Sequence, residues 1–121
     1  NLRVVNDQIG SPTSSVIVAN TIINIIENYD LSQKKEILNL QPKGSASWFE
    51  FANFINENLD NSKRLSAEKI SPVNSEEFIS KAKRPKYSLL NTLKLEKTFQ
   101  IHLNHWQDYA LKEIKKLTQY G

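Results

Sequence analysis

The sequence predicts an α/β fold: a small, mostly parallel sheet with flanking helices and a helical tail. Three observations carry it. Short β-branched runs alternate with stretches of helical periodicity. A serine–glutamate capping box marks one helix start. From Asn91 onward the remaining patterns are all helical. With 121 residues and 39% hydrophobic content, one domain spanning residues 1–121 is expected.

The elements follow in order. Leu2-Arg3-Val4-Val5 is a β-branched run that reads as a strand. Asp7-Gln8-Ile9-Gly10-Ser11-Pro12-Thr13 then supplies loop chemistry. Residues 15–29 are helical, with Val16, Ala19, Ile22, Ile23 and Ile26 on one stripe. Ile17, Val18 and Ile25 widen it until the helix is apolar most of the way round, so burial on two sides is expected. Residues 36–40 read as a second strand, closed by Gln41-Pro42-Lys43-Gly44. Ser47-Trp48-Phe49-Glu50 is the capping box of a helix over 47–59, with Trp48, Phe51, Ala52, Ile55 and Leu59 on its stripe. Phe49 and Phe54 lie off that stripe and imply a second packing surface. A third strand is expected over 67–73 and a short helix over 75–82, which Arg84-Pro85 ends. Asn91 can cap a helix over 92–99. Asn104, with Gln107 three residues on, can cap the last helix, whose stripe is Trp106, Tyr109, Ala110, Ile114 and Leu117.

Composition removes several function classes. Without cysteine there is no disulfide scaffold, thiolate zinc site or thiol nucleophile. A net charge of +3, evenly spread and with only three arginines, gives no nucleic-acid footprint. The apolar stretch 16–26 is broken by Asn20, Thr21 and Asn24, and falls short of the ~20 residues that span a bilayer. No membrane partner is expected, and with no secretory pattern at the start the default location is cytoplasmic. Gly10, Gly44 and Gly121 are too scattered for a dinucleotide-binding turn. His102 and His105 make at most half a metal site, and no metal is expected. Glu76-Glu77 reads as a solvated face rather than a catalytic pair. The chain contains no methionine and begins at Asn1, which reads as a piece of a longer protein.

Four blocks carry a family resemblance. The Asp7–Thr13 loop resembles the D-Q-x-G-x-P-T loop of dTDP-4-dehydrorhamnose reductases, members of the extended short-chain dehydrogenase/reductase superfamily. Ser47-Trp48-Phe49-Glu50-Phe51-Ala52 is similar to that family's S-W-x-E-F-A helix start. The run from Arg84 to Leu95 is similar to its R-P-x-x-S-x-L-D-x-x-K-L block. Phe99 to Leu103 followed by Trp106 is similar to its closing F-G-I-x-L-x-x-W. The order and spacing agree over nearly the whole chain. Three positions depart: Ile17-Val18-Ala19 replaces an Asp-Leu-Ala step, Asn91 replaces an aspartate, and Gln100 replaces a glycine.

The resemblance implies that this chain is the C-terminal, substrate-binding part of such a reductase. An N-terminal Rossmann part, absent here, would bind NADPH and carry a Tyr-x-x-x-Lys pair. No tyrosine in this sequence has lysine four residues on, so no catalytic residue is expected in the chain. The implied ligand is a dTDP-sugar, and the implied partner is the Rossmann part. A homodimer is a second way to cover the apolar surface that the missing part would leave. Arg84, fixed by Pro85, suits the diphosphate. Gln8 and Thr13, on a turn stiffened by Gly10 and Pro12, either face the pocket or satisfy the turn itself. Trp48 reads as a core anchor, with a sugar-stacking platform as the alternative. Ser88 is a further candidate contact, and Asn91 is explained as a cap. Two alternatives share these blocks: a non-catalytic regulatory module like the regulatory subunit of methionine adenosyltransferase, and a nucleotide-sugar epimerase.

Overall fold

The computed structural model describes residues 1–32, 35–59, 69–77 and 82–119. Its elements are β1 (Leu2–Val5), β2 (Ile9–Gly10), α1 (Ser15–Asn28), β3 (Ala46–Ser47), α2 (Trp48–Asn58), β4 (Ile70–Val73), α3 (Leu93–Phe99) and α4 (Trp106–Gln119). A single 3₁₀ turn, Ser75–Glu77, follows β4. It is the described part of the helix expected over 75–82; residues 78–81 of that expectation, and 67–68 of the third strand, lie outside the described residues. No helix among the described residues is long and apolar enough to cross a membrane.

β1 and β4 pair in parallel, with Leu2 opposite Ile70 and Val5 opposite Val73. The Leu2 and Asn6 amides extend the ladder at its two ends, each 3.0 Å from a carbonyl, of Lys69 and Val73 respectively. β4 tolerates Pro72 because, among the described residues, only one of its edges is paired, so the missing N–H costs no ladder bond. The second pair, β2 with β3, is antiparallel: Ile9 faces Ser47 and Gly10 faces Ala46.

The strand expected over 36–40 does not form. Its surroundings are irregular segments that hold it through side chains, not a strand edge. Asn39 Nδ2 donates to the Asn91 carbonyl (3.1 Å), and Gln41 Oε1 accepts from the Leu90 amide (3.0 Å). Ile37 is 91% exposed, so no apolar face drives pairing.

α1 turns the opposite way from the stripe read in the sequence. Ser14 caps it, its Oγ accepting from the Val16 amide (3.2 Å). Ile17 and Thr21, one turn apart, are its buried residues, whereas Val16, Ile22, Ile23 and Ile26 are exposed. Its far end is tied down by Tyr29. That ring meets Phe99 edge-on at 4.8 Å, and its hydroxyl donates to the Phe99 carbonyl.

α2 forms as expected, with the complete capping box. The Glu50 amide donates to Ser47 Oγ (3.1 Å), and the Ser47 amide donates to Glu50 Oε2 (2.7 Å). The helix packs on β1, β3, β4 and α4. Phe54, off the stripe, and Phe51, on it, both meet the Trp106 ring edge-on, at 4.8 and 5.6 Å, so the two share one packing surface rather than forming a second one. Trp106 joins Ile17, Ala46, Val73, Leu95, Phe99 and Ile114 in the core.

α3 begins one residue later than expected, with Asn91 Oδ1 accepting from the Leu93 amide (3.0 Å). It ends on Gln100 in the left-handed conformation, φ 53°. α4 is not capped by the Asn104 side chain. Instead the Asn104 carbonyl accepts from the Lys43 amide (2.9 Å), and the Lys43 carbonyl accepts from the Trp106 amide (3.0 Å). A backbone bridge therefore satisfies the first donor of α4. Of the α4 stripe, Trp106 and Ile114 are buried, Tyr109 and Ala110 half-buried, and Leu117 exposed.

Candidate functional site

The site is built around the loop over residues 7–13. Ile9 is the middle rung of a short three-part ladder. On one side it pairs with Ser47 of β3. On the other, its amide donates to the Lys86 carbonyl (2.8 Å), and its carbonyl accepts from the Ser88 amide (2.9 Å). The ladder thus brings three segments distant in sequence side by side: the loop, the start of α2, and the stretch that carries Arg84.

Asp7 anchors the base of this loop. Its carboxylate accepts from the Ser75 amide and the Ser75 hydroxyl, both at 2.9 Å, and lies 3.5 Å from Lys86 Nζ. Partial loss of hydration pushes its pKa up, but the bonds from Ser75 and from its own amide, with the Lys86 charge, outweigh that. The net result is a carboxyl below its ordinary value. Asp7 serves the loop's position and does not line the cleft. Gly10 makes a close approach: a Cβ there would lie 3.0 Å from Ser88 Oγ, so a larger residue would have to push that side chain aside.

Above the loop opens a cleft of about 830 Å³. Gln8, Thr13, Trp48, Arg84 and Ser88, the residues singled out from the sequence, all line it. Gln8 is half-buried. Thr13 partly satisfies its own turn, its hydroxyl donating to the Ser11 carbonyl (2.9 Å). Ser88 Oγ donates to the Ile9 carbonyl (3.2 Å), and Ser11 Oγ donates to the Pro42 carbonyl (3.0 Å). Arg84 is exposed, and among the described residues it has no ion-pair partner.

Trp48 requires a correction. The core-anchor reading fails: its side chain is 53% exposed at the cleft wall, while the buried indole is Trp106 at 4%. A helix's first residue has no preceding turn to shield it, and the rings that pack beside Trp106 are instead Phe51 and Phe54, further along α2.

The far wall comes from α4: Trp106, Tyr109, Ala110, Glu113 and Ile114. Sequence patterning presents these as an amphipathic stripe and its polar border, and does not signal a cleft. Tyr109 is fixed there by its hydroxyl, which accepts from the Asn104 amide (2.9 Å). Glu113 is paired with Lys116 at 3.2 Å. The two histidines serve separate places. His102 lies 3.7 Å from Glu96, and His105 borders Gly44, whose φ of 84° lets the chain turn against the Trp106 ring. No cluster of three potential metal ligands occurs among the described residues.

Known proteins share both the sequence and the fold. The chain is 32% identical over 99% of its length to a dTDP-4-dehydrorhamnose reductase of Sinorhizobium fredii, covering 41% of that protein. It is 37% identical over 93% of its length to the Bacillus subtilis spore coat polysaccharide biosynthesis protein SpsK, covering 35% of it. Among solved structures it superposes on a Clostridium acetobutylicum dTDP-4-dehydrorhamnose reductase with a TM-score of 0.75 and 36% identity, over 98% of this chain and 39% of that one. A Bacillus anthracis reductase of the same name, solved with NADP, gives 0.76 and 30%, over 93% and 37%. The chain therefore spans about two-fifths of the length of these relatives. Residues 1–119 match the family model described as the RmlD substrate binding domain, and the chain belongs to that family.

Proposed function

We propose that this domain binds the nucleotide-sugar substrate of an NADPH-dependent dTDP-4-dehydrorhamnose reductase, in which the 4-keto group of dTDP-4-dehydro-L-rhamnose is reduced to give dTDP-L-rhamnose. The observation that carries the proposal is the convergence on one cleft of Arg84, Gln8, Thr13, Ser88 and Trp48, with the guanidinium left without an ionic partner among the described residues. A planar, permanently charged fork suits a diphosphate, and the hydroxyl and amide groups around it suit sugar oxygens.

The nicotinamide cofactor does not fit on this chain's own residues. Gly10 is a rung of a β-ladder rather than the turn before a helix, and Gly44 is packed against Trp106. No tyrosine here has the lysine partner four residues on. Hydride and proton donors thus belong to the remainder of the parent protein, an N-terminal Rossmann part. This domain's work is to bind and orient, which lowers the barrier by holding the reacting carbon in place.

The test uses the complete protein that carries this domain. NADPH oxidation dependent on the dTDP-sugar is expected. Arg84→Ala raises KM about 10- to 100-fold, the worth of a charged hydrogen-bonded contact, with kcat little changed. Calorimetry showing no binding of any nucleotide sugar would overturn the proposal. Binding without NADPH oxidation would point instead to a non-catalytic module of the same fold.

A further inference from the structure

We infer that Asp7 is a positioning residue for Arg84: from outside the cleft, its carboxylate clasps both ends of the segment that carries the guanidinium. This rests on the function proposed above and concerns how that site is held, not a further contact with the ligand. Arg84 has no hold of its own. Among the described residues it makes no hydrogen bond and no ion pair, and Pro85 beside it has no amide to donate. Its place at the cleft is therefore set by its neighbours in the chain.

The nearest anchored neighbour is Lys86, two residues on. Its carbonyl accepts from the Ile9 amide (2.8 Å), and its ammonium lies 3.5 Å from Asp7 Oδ2 and 3.7 Å from Glu76 Oε1. The same Asp7 carboxylate accepts from the Ser75 amide and hydroxyl, both at 2.9 Å, where the chain leaves β4. Ser75 and Lys86 are eleven residues apart. One side chain thus closes the base of the excursion on which Arg84 sits, and closure removes freedom that a ligand would otherwise have to freeze out. Asp7 is the least exposed member of this cluster, its side chain at 20% against 67% for Lys86 and 84% for Glu76. Two hydrogen bonds to an ionised acceptor give it the firmer grip, since an ion pair to so exposed a lysine adds little stability by itself. Arg84 and Pro85 line the cleft, whereas Asp7 and Lys86 do not. Asp7 can therefore favour an anionic ligand only through the segment it holds, because its own charge repels one.

The experiment is a calorimetric titration of the complete protein with dTDP, in a double-mutant cycle of Asp7→Ala and Arg84→Ala. We expect Asp7→Ala to bind dTDP about five-fold more weakly than wild type, yet to cost less than about two-fold in the Arg84→Ala background, because residues that act through one another do not add. Loss of a negative charge alone would tighten dTDP binding, so the direction separates positioning from electrostatics. A general loosening of the domain would weaken binding by the same factor in both backgrounds. Asp7→Asn keeps an oxygen for the Ser75 amide and loses the charge that faces Lys86. It is expected to give a smaller loss with the same non-additivity, and it carries the cycle if circular dichroism shows Asp7→Ala unfolded. Equal losses in the two backgrounds overturn the inference, as does unchanged or tighter binding in the single Asp7 variant; both leave the nucleotide-sugar function standing. A wild-type protein that binds neither dTDP nor a dTDP-sugar overturns that function, and this inference with it.

Discussion

Gln100 occupies a backbone position that favours glycine. Its φ of 53° places Cβ against the following carbonyl, a cost of roughly 1–2 kcal/mol for a side-chain-bearing residue. Its amide recovers part of this by donating to the Lys97 carbonyl (3.1 Å). The resemblance had marked this position as a glycine replaced, and the structure supplies the consequence. Gln100→Gly is expected to raise the free energy of unfolding by about 0.5–1 kcal/mol, the relief of strain less the extra entropy of glycine. A urea melt measures it. Asp7 gives a pH signature. Because its carboxyl titrates below its ordinary value when folded, it stabilises the fold fully above the unfolded pKa, and the contribution disappears as pH falls through the lowered, folded one. Denaturation midpoints should therefore drop on acidification across the carboxylate range, and Asp7→Asn should flatten that slope. An unchanged slope in the variant would mean that other carboxylates carry the acid sensitivity. The replaced glycine at Gln100 was legible from the motif, and Asp7 as part of a turn-rich loop. That Asp7 would hold Ser75 was not, since 68 residues separate them.

At the scale of elements, α1 shows how pattern and packing part company. Apolar residues lie almost all round it, so its sequence defines a helix but no preferred azimuth. The structure buries Ile17 and Thr21 and leaves Val16, Ile22, Ile23 and Ile26 outward. Ile17→Ala should accordingly cost about 2–4 kcal/mol, as a cavity in packed surroundings does. Ile26→Lys, at a position 64% exposed, should change stability by no more than about 0.5 kcal/mol. Thermal or urea melts of the two variants decide the matter, and equal losses would restore the stripe read from the sequence. α2 behaves differently. Its capping box is a contact between residues three apart, so it could be read directly and formed as read. The expected strand over 36–40 failed for the converse reason: a strand needs a partner edge, and this segment met side chains instead.

Over the whole molecule, the outward isoleucines of α1 leave an apolar strip on a domain that spans about two-fifths of its relatives' length. The isolated 121-residue chain is expected to bind an apolar-surface dye and to self-associate in sedimentation, and Ile22→Lys with Ile26→Lys to suppress both. A monomer that leaves the dye dark would show that the strip is too small or too broken to matter. The sequence by itself determined the α/β class, the capping box of α2 and the loop around Gly10. All of these depend on the chain's own local geometry or on motifs of fixed spacing. Only the tertiary structure decided which tryptophan is buried, which face of α1 is covered, and that Arg84, Trp48 and the loop meet in one cleft. Those outcomes depend on surfaces brought together across dozens of residues, where burial is settled by the partner that arrives and not by the residue that waits.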